Sequence, residues 1–422
     1  MVHQVGYKLR VQIHRFSGKL CTGLGKVVQR FVEEMLYGIQ ARGSVRLSEV
    51  ARCLEEEVSL KKVIERLSRN LARRRLAEHL GEAVLREGAG RIREDTLLIV
   101  DPTDITKKYA KKMEYLAQVR DGSDKVLGWG YWVMTVVGAE VGSSEITPLV
   151  HKLYSQEAED FVSENHEITE ALRRVGRTTA GRGIFVLDRG GDRGHLYAEL
   201  LGGGGGKYRF IVRQQGDRHL LYRGKRCETL KLAQECKTPY AETVVKEKDG
   251  KEKPYFLQFG FRPVRLVKHP ERKLWLVVIK GFGKKPLMLL TTEPMRRCRK
   301  TLWWLVAAYM TRWKIEETVR FIKQSYDLED VRVLTYRRLK TIAALVLAAS
   351  FFAAVCLGTR AKLEILALHV LQAAKRVFGI PNFRYYALAD GIKEVLSRAG
   401  RGIVGAQTAL QDNSGQLALF ST

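Results

Sequence analysis

Residues 96–101 read Thr96-Leu97-Leu98-Ile99-Val100-Asp101, and residues 183–188 read Gly183-Ile184-Phe185-Val186-Leu187-Asp188. Each is a short, unbroken apolar run closed by an aspartate. Four apolar residues in a row, bounded by polar residues or glycine, form the pattern of a strand buried on both faces. A carboxylate at the end of such a strand costs free energy unless it is paired or ligated. Two strands that each deliver an aspartate therefore predict an α/β sheet and mark where on it chemistry would sit.

Outward from these runs the pattern stays α/β. Strand-like stretches at 131–137 and 146–153 follow the first, a helix is expected over 159–175, and Asp192 is placed to cap a helix over 195–201. Strands and helices in this order predict a mixed sheet covered on both faces, spread over 91–201 and 287–358. Residues 202–286 break the rhythm. Five glycines (202–206) read as a linker, and strand candidates at 208–213, 241–246, 255–261 and 274–280 read as a β-rich insertion. Buried-strand character returns at 287–292, followed by one long helix over 297–324.

Both ends read as helical. In residues 1–90, apolar positions recur at helical spacing from Val27 to Ile39, and Gly43 stops that helix. A short helix over 48–55 precedes a basic helix capped by Ser59 and carrying Lys61, Lys62, Arg66 and Arg69. A short helix, a turn and a basic helix resemble a helix-turn-helix, so these four cations are expected to contact DNA. Residues 359–402 form a C-terminal helical region broken by Pro381 and are assigned to dimerisation; 403–422 are a polar, flexible tail.

The chain holds 73 Lys and Arg against 46 Asp and Glu, a formal net charge of +27. That excess favours a polyanion, nucleic acid before an anionic membrane surface. Charge alone does not separate a catalyst from a packaging protein. Six cysteines without a C-x-x-C pair argue against a structural zinc and for reduced cytosolic thiols. The N-terminus lacks the charged-then-apolar order of a signal peptide. Residues 341–358 carry no charge, the lower limit for a membrane span, yet are rich in alanine and read as a buried helix. A soluble, cytoplasmic, nucleoid-associated protein with no membrane partner is expected.

The third acid comes from the helix of 297–324. Tyr309, Arg312, Glu316 and Lys323 stand at offsets of three, four and seven, and with Arg320 fall within roughly 80° of one helix face. One stripe then holds a carboxylate flanked by phosphate-binding cations and a phenol. The plainer reading is an amphipathic helix with i,i+4 ion pairs. Glu317 points elsewhere. Three converging carboxylates repel one another, and a divalent cation relieves that repulsion; hard oxygen donors suit Mg²⁺, with Mn²⁺ as a substitute. Two such ions clamp both oxygens of an in-line phosphoryl transfer. Asp104 and Asp192 end no apolar run and are read as structural.

Tyr-x2-Arg-x3-Glu-x6-Lys resembles the signature of bacterial insertion-sequence transposases of the DDE type. The flanking text matches too: Leu289-Leu290-Thr291-Thr292-Glu293-Pro294 before the helix, Asp188-Arg189-Gly190-Gly191-Asp192 at the second aspartate, and Ile99-Val100-Asp101-Pro102-Thr103 at the first. The resemblance covers roughly residues 20–350. It implies a ribonuclease-H-like catalytic domain with a β-rich insertion, and Asp101, Asp188 and Glu316 as catalytic, metal-binding residues. It further implies Tyr309, Arg312 and Lys323 on the DNA backbone, and a homodimer acting on double-stranded transposon ends and target. Leu287 stands where some relatives carry a base-stacking tryptophan, so the resemblance leaves open whether a hairpin intermediate forms. The alternatives are an inactive DNA-binding regulator and a ribonuclease-H-like nuclease acting on DNA structure. In the tail, Gln416-Leu417-Ala418-Leu419-Phe420 resembles the peptide with which replication proteins dock on the DNA sliding clamp, Leu419 and Phe420 anchoring in an apolar pocket beside Gln416.

Overall fold

The computed structural model describes residues 2–107, 110, 112–120, 127–203, 207–248, 251–370, 385–399 and 402. Five helices come first: α1 (Val2–Leu20), α2 (Lys26–Arg42), α3 (Leu47–Cys53), α4 (Leu60–Leu71) and α5 (Leu76–Ala89). On α2 the apolar residues Val28, Phe31, Val32, Met35, Leu36 and Ile39 recur every three or four positions and all are buried. Gly43 ends the helix at φ 60°, its N–H bonded to the Ile39 carbonyl. Ser59 stands at the start of α4 but makes no capping bond there.

The sheet begins with β1 (Leu97–Thr106), β2 (Ala117–Arg120), β3 (Leu127–Ala139) and β4 (Ile146–Tyr154). Next come α6 (Glu164–Thr178), β5 (Ile184–Leu187), α7 (Gly194–Ala198) and β6 (Arg209–Arg213). β4, β3 and β1 pair antiparallel in that order, and β1, β5 and β6 then run parallel. Alternation along β1 serves two cores. Leu97, Ile99 and Ile105 face the helical side with α2, α5 and the later helices, and Leu98 and Val100 face Ile168, Leu172 and Val175 of α6. Close packing at the outer end of β1 requires Gly130, where a Cβ would lie 2.1 Å from the Ile105 carbonyl oxygen.

Residues 209–213, grouped on sequence with the inserted strands, are thus the parallel neighbour of β5 in the central sheet. The other inserted strands extend the same sheet: β7 (His219–Tyr222), β8 (Lys225–Glu228), β9 (Tyr240–Lys248), β10 (Lys251–Leu266) and β11 (His269–Lys280), with the short helix α8 (Thr229–Gln234) between β8 and β9. β12 (Leu287–Thr291) returns between β6 and β11, so the described strands form one twelve-stranded mixed sheet. Residues 204–206 of the glycine run lie outside the described residues.

The helix expected over 297–324 is two helices, α9 (Arg299–Thr311) and α10 (Trp313–Ser325). The turn at Arg312 tightens to three-residue bonds, Arg312 N–H to Tyr309 O and Ile315 N–H to Arg312 O. α11 (Tyr336–Phe351) carries the uncharged stretch and continues as a wider turn to Cys356. By length and hydropathy 336–356 could cross a membrane, yet 89% of its most apolar window is buried inside this fold, against α5, β4 and α2. α12 (Thr359–Val370) and α13 (Tyr385–Arg398) are the last helices among the described residues; Tyr385 and Tyr386 are buried against Phe321 of α10.

Candidate active site

The pairing register aligns Val100 of β1 with Leu187 of β5, and Leu187 with Val212 of β6. The next residue on each strand is therefore Asp101, Asp188 and Arg213, side by side where the parallel strands end. On the other side Asp101 is directly opposite Thr135 of β3. Neighbouring strands lie about 4.8 Å apart, which brings two acids and one guanidinium to a single edge of the sheet. α10 packs across β1 and β3 and brings Glu316 to the same place.

Burial pushes the Asp101 carboxyl up to about 7; Arg312 opposes this, and Asp188 and Glu316 add to it. Arg312, Asp188 and Glu316 each therefore lie within electrostatic reach of Asp101. Asp188 starts a single tight turn, its Oδ1 accepting the Gly190 N–H at 2.7 Å. Glu316 is about half exposed at its side chain, and its Oε1 accepts from Arg312 Nη2 at 2.7 Å. Among the described residues no three His, Cys, Asp or Glu side chains converge closely enough to hold a metal ion.

Around this centre each cation has a partner. Burial works against the charge on Arg312, yet Tyr309, Asp101 and Glu316 outweigh it and hold its pKa above the usual guanidinium value. Tyr309 is buried; burial raises its phenol, Arg312 and Arg213 oppose that, and Asp188 adds to it. Lys323 Nζ lies 3.4 Å from Asp104 Oδ2 and 2.9 Å from Glu329 Oε1, so Asp104 is a buried counter-ion for a site lysine. Arg320 is exposed and pairs with Glu317 at 3.0 Å.

Asp192 does not cap a helix. It is buried beneath Arg218, whose Nε donates to Oδ1, while the Gln215 N–H donates to Oδ2 at 2.9 Å and the Tyr197 hydroxyl lies 3.3 Å away. The sequence could place this acid near a helix start but could not reveal an arginine 26 residues later.

Of the four cations expected at the N-terminal DNA contact, Lys61, Lys62 and Arg69 are exposed on α4. Arg66 instead turns inward, bonding Glu34 at 2.6 Å and also Glu56. The docking peptide at Gln416, Leu417, Leu419 and Phe420 lies outside the described residues.

Three residues at the site escaped sequence reasoning. Arg213 carried the same signal as the two aspartates, a charge closing an apolar run, but its strand was grouped with the insertion. Thr135 and His151 lie in register across β1, β3 and β4, the His151 Nδ1 3.2 Å from the Thr135 hydroxyl. Burial, then the Lys323 charge, lowers the His151 pKa to about 3, so its ring is neutral. Only pairing register could have found them.

No protein-family model matches the chain, and no curated protein does. Among solved structures it is similar to a piggyBac transposase, seen by cryo-EM in a synaptic complex with hairpin DNA. Identity is 10%, with 98% of this chain and 83% of that one covered and a TM-score of 0.46.

Proposed function

We propose that the chain is a DDE-type transposase of the insertion-sequence group, cutting double-stranded DNA at element ends and joining the freed ends to target DNA. The observation that carries this reading is the alignment of Asp101 and Asp188 on adjacent parallel strand ends, with Glu316 in electrostatic reach. The strand order supports a ribonuclease-H-like reading of β1 and β3–β6, because it sets two acidic strand ends side by side.

The residues fit divalent cations. All three donors are hard carboxylate oxygens, and the raised Asp101 pKa, due first to burial and then in smaller part to Asp188 and Glu316, marks a carboxylate whose charge a cation would stabilise. Asp101, Asp188 and Glu316 would hold Mg²⁺ or Mn²⁺, which when bound supplies Lewis acidity toward the scissile phosphate and its nucleophile.

The remaining work falls to the chain's own side chains. Arg312 gives up Glu316 to the site and grips a phosphate with its planar fork, and Lys323 offers a second, compact charge. Tyr309 and Arg213 flank the Asp188 side. Hydrolysis forms a bond from water oxygen to phosphorus and breaks the bond to the 3′ oxygen, leaving a 3′-hydroxyl. Strand transfer repeats the displacement with that hydroxyl as nucleophile. Two ends need two such sites, hence a homodimer on paired DNA, with the C-terminal peptide as a tether to the sliding clamp.

Inverted repeats flanking the gene supply the substrate for a test. Pre-cleaved repeat duplexes with a free 3′-hydroxyl should give joined products with plasmid DNA in Mg²⁺ or Mn²⁺. Cleavage of intact ends without any joining would assign a nuclease instead, and duplex binding with neither reaction would assign a regulator.

A further inference from the structure

The turn between α4 and α5 reads Arg73-Arg74-Arg75, all exposed, with Arg75 at φ 59°, a backbone conformation that residues other than glycine seldom adopt. This turn forms one wall of a cleft of about 390 Å³, and Arg337 and Lys340 of α11 line the same cleft. The cleft is also lined by four acids, Glu78, Glu114, Glu159 and Asp160, against the five cations Arg73, Arg74, Arg75, Arg337 and Lys340. Glu114 accepts the Tyr336 N–H at 2.8 Å, Asp160 lies 3.7 Å from Lys340, Glu159 bonds the Tyr115 phenol, and Glu78 acts on Arg174. The arginines differ. Arg73 reaches only the Asn70 side-chain oxygen at 2.8 Å, and among the described residues Arg74, Arg75 and Arg337 have no ion-pair partner. Arg74, Arg75 and Arg337 thus line this cleft with guanidinium forks that no carboxylate among the described residues engages at ion-pair distance, free to take an anion.

The location identifies the anion. Ile105 lies four residues beyond Asp101 on β1, about 13 Å further on, and is paired with Tyr131. The Tyr131 ring stacks on Tyr336, a wall of the cleft, at 6.1 Å. Asp101, Ile105 and Tyr131 share one face of the sheet. A duplex advances about 3.4 Å per base pair, so phosphates reaching the cleft are separated from one above Asp101 by roughly four base pairs or more. The exposed cations Lys62 and Arg69 continue the track along α4 toward Arg73.

We propose that Arg74, Arg75 and Arg337 form a second phosphate-binding site, which grips the backbone of duplex DNA running outward from the cleavage point. The site rests on the catalytic reading for its register, and on unpartnered guanidinium groups for its chemistry. Guanidinium forks suit phosphodiester oxygens.

The test is binding of a fluorescent duplex by the full-length chain in EDTA, followed by anisotropy over a series of salt concentrations. Replacing all three, Arg74→Gln, Arg75→Gln and Arg337→Gln, should reduce the slope of log affinity against log salt by about two to three. Affinity at moderate salt should fall roughly 10- to 100-fold, and the three Arg→Lys changes should restore most of the slope. The thermal midpoint should stay at the wild-type value, since all three side chains are exposed. A wild-type slope in the folded triple variant overturns the site, and if that variant still cleaves, the catalytic reading survives alone. A reduced slope in a chain whose wild-type form never cleaves keeps the site and overturns the catalytic reading.

Discussion

Arg312 Nη2 bonds Glu316 Oε1 at 2.7 Å, one helical turn apart, so the acid brought by α10 is held by a cation beside the two strand-end aspartates. Arg312 is buried whereas Glu316 is half exposed, and Asp101 feels both charges. The pair is therefore placed where a phosphate could take the guanidinium and free the carboxylate.

Magnitude separates that role from an ordinary helix-surface bridge. An exposed i,i+4 pair contributes about 0.3–0.5 kcal/mol, a factor of roughly two. A charge-assisted bond to a backbone phosphate is worth about 1.5–3 kcal/mol. Arg312→Gln should accordingly slow single-turnover end cleavage roughly 10- to 100-fold. A change of twofold or less would return the pair to a surface role.

The Asp101 shift makes a signed prediction about pH. Its folded pKa, about 7, lies above the ordinary carboxylate value of 3.8, so between these limits the folded state binds more protons than the unfolded one. The stability it contributes is complete below about pH 4 and is lost as pH rises through 7. His151 acts oppositely: its folded pKa, about 3, lies below the ordinary 6.5, so its contribution is complete above 6.5 and is lost as pH falls toward 3. In metal-free buffer, Asp101→Asn should remove a fall in unfolding free energy between pH 4 and 7. Denaturant melts of the two proteins across that range measure it; parallel curves would contradict the shift. Mn²⁺ should stabilise the wild type more at pH 8 than at pH 6, because protons and metal compete for one carboxylate.

Asp188 and Asp192 are four residues apart and should fail in opposite ways. Asp192→Ala strands the Arg218 charge in a largely buried setting, which costs about 3–5 kcal/mol. Asp188→Asn disturbs one bond to the Gly190 N–H and should shift stability by about 1 kcal/mol or less while abolishing cleavage. Urea unfolding with paired cleavage assays distinguishes them. Equal destabilisation by both changes would mean that Asp188 is structural too.

Much of this was legible in the chain because its signals are local. An apolar run ending in Asp101 or Asp188 is visible without knowing any neighbour, and so is the spacing from Tyr309 to Lys323. What stayed hidden is long-range. Arg213 joins the aspartates only through parallel pairing of 209–213 with 184–187, and Asp192 meets Arg218 only once the inserted strands fold back. Arg66, a cation on an exposed-looking helix face, is claimed by Glu34 of α2 and by Glu56 of the α3–α4 loop. The break at Arg312 is a one-residue tightening that helical periodicity does not register.

The uncharged helix α11 offers a packing test. Leu345 is fully buried on a helix that hydropathy alone would send to a bilayer. Leu345→Ala should cost about 2–5 kcal/mol in a detergent-free unfolding experiment, as expected for a truncated core leucine. A loss below about 0.5 kcal/mol would show that this helix is not packed as described.

The central claim, that Asp101, Asp188 and Glu316 act together on a scissile phosphate, is tested most directly by Mn²⁺-dependent nicking of a plasmid carrying the flanking inverted repeats. Wild type should nick at the repeat ends, and Asp101→Asn, Asp188→Asn and Glu316→Gln should each lose roughly a thousandfold or more while binding the same duplex in EDTA as tightly as wild type. Nicking by Glu316→Gln at the wild-type rate would contradict it.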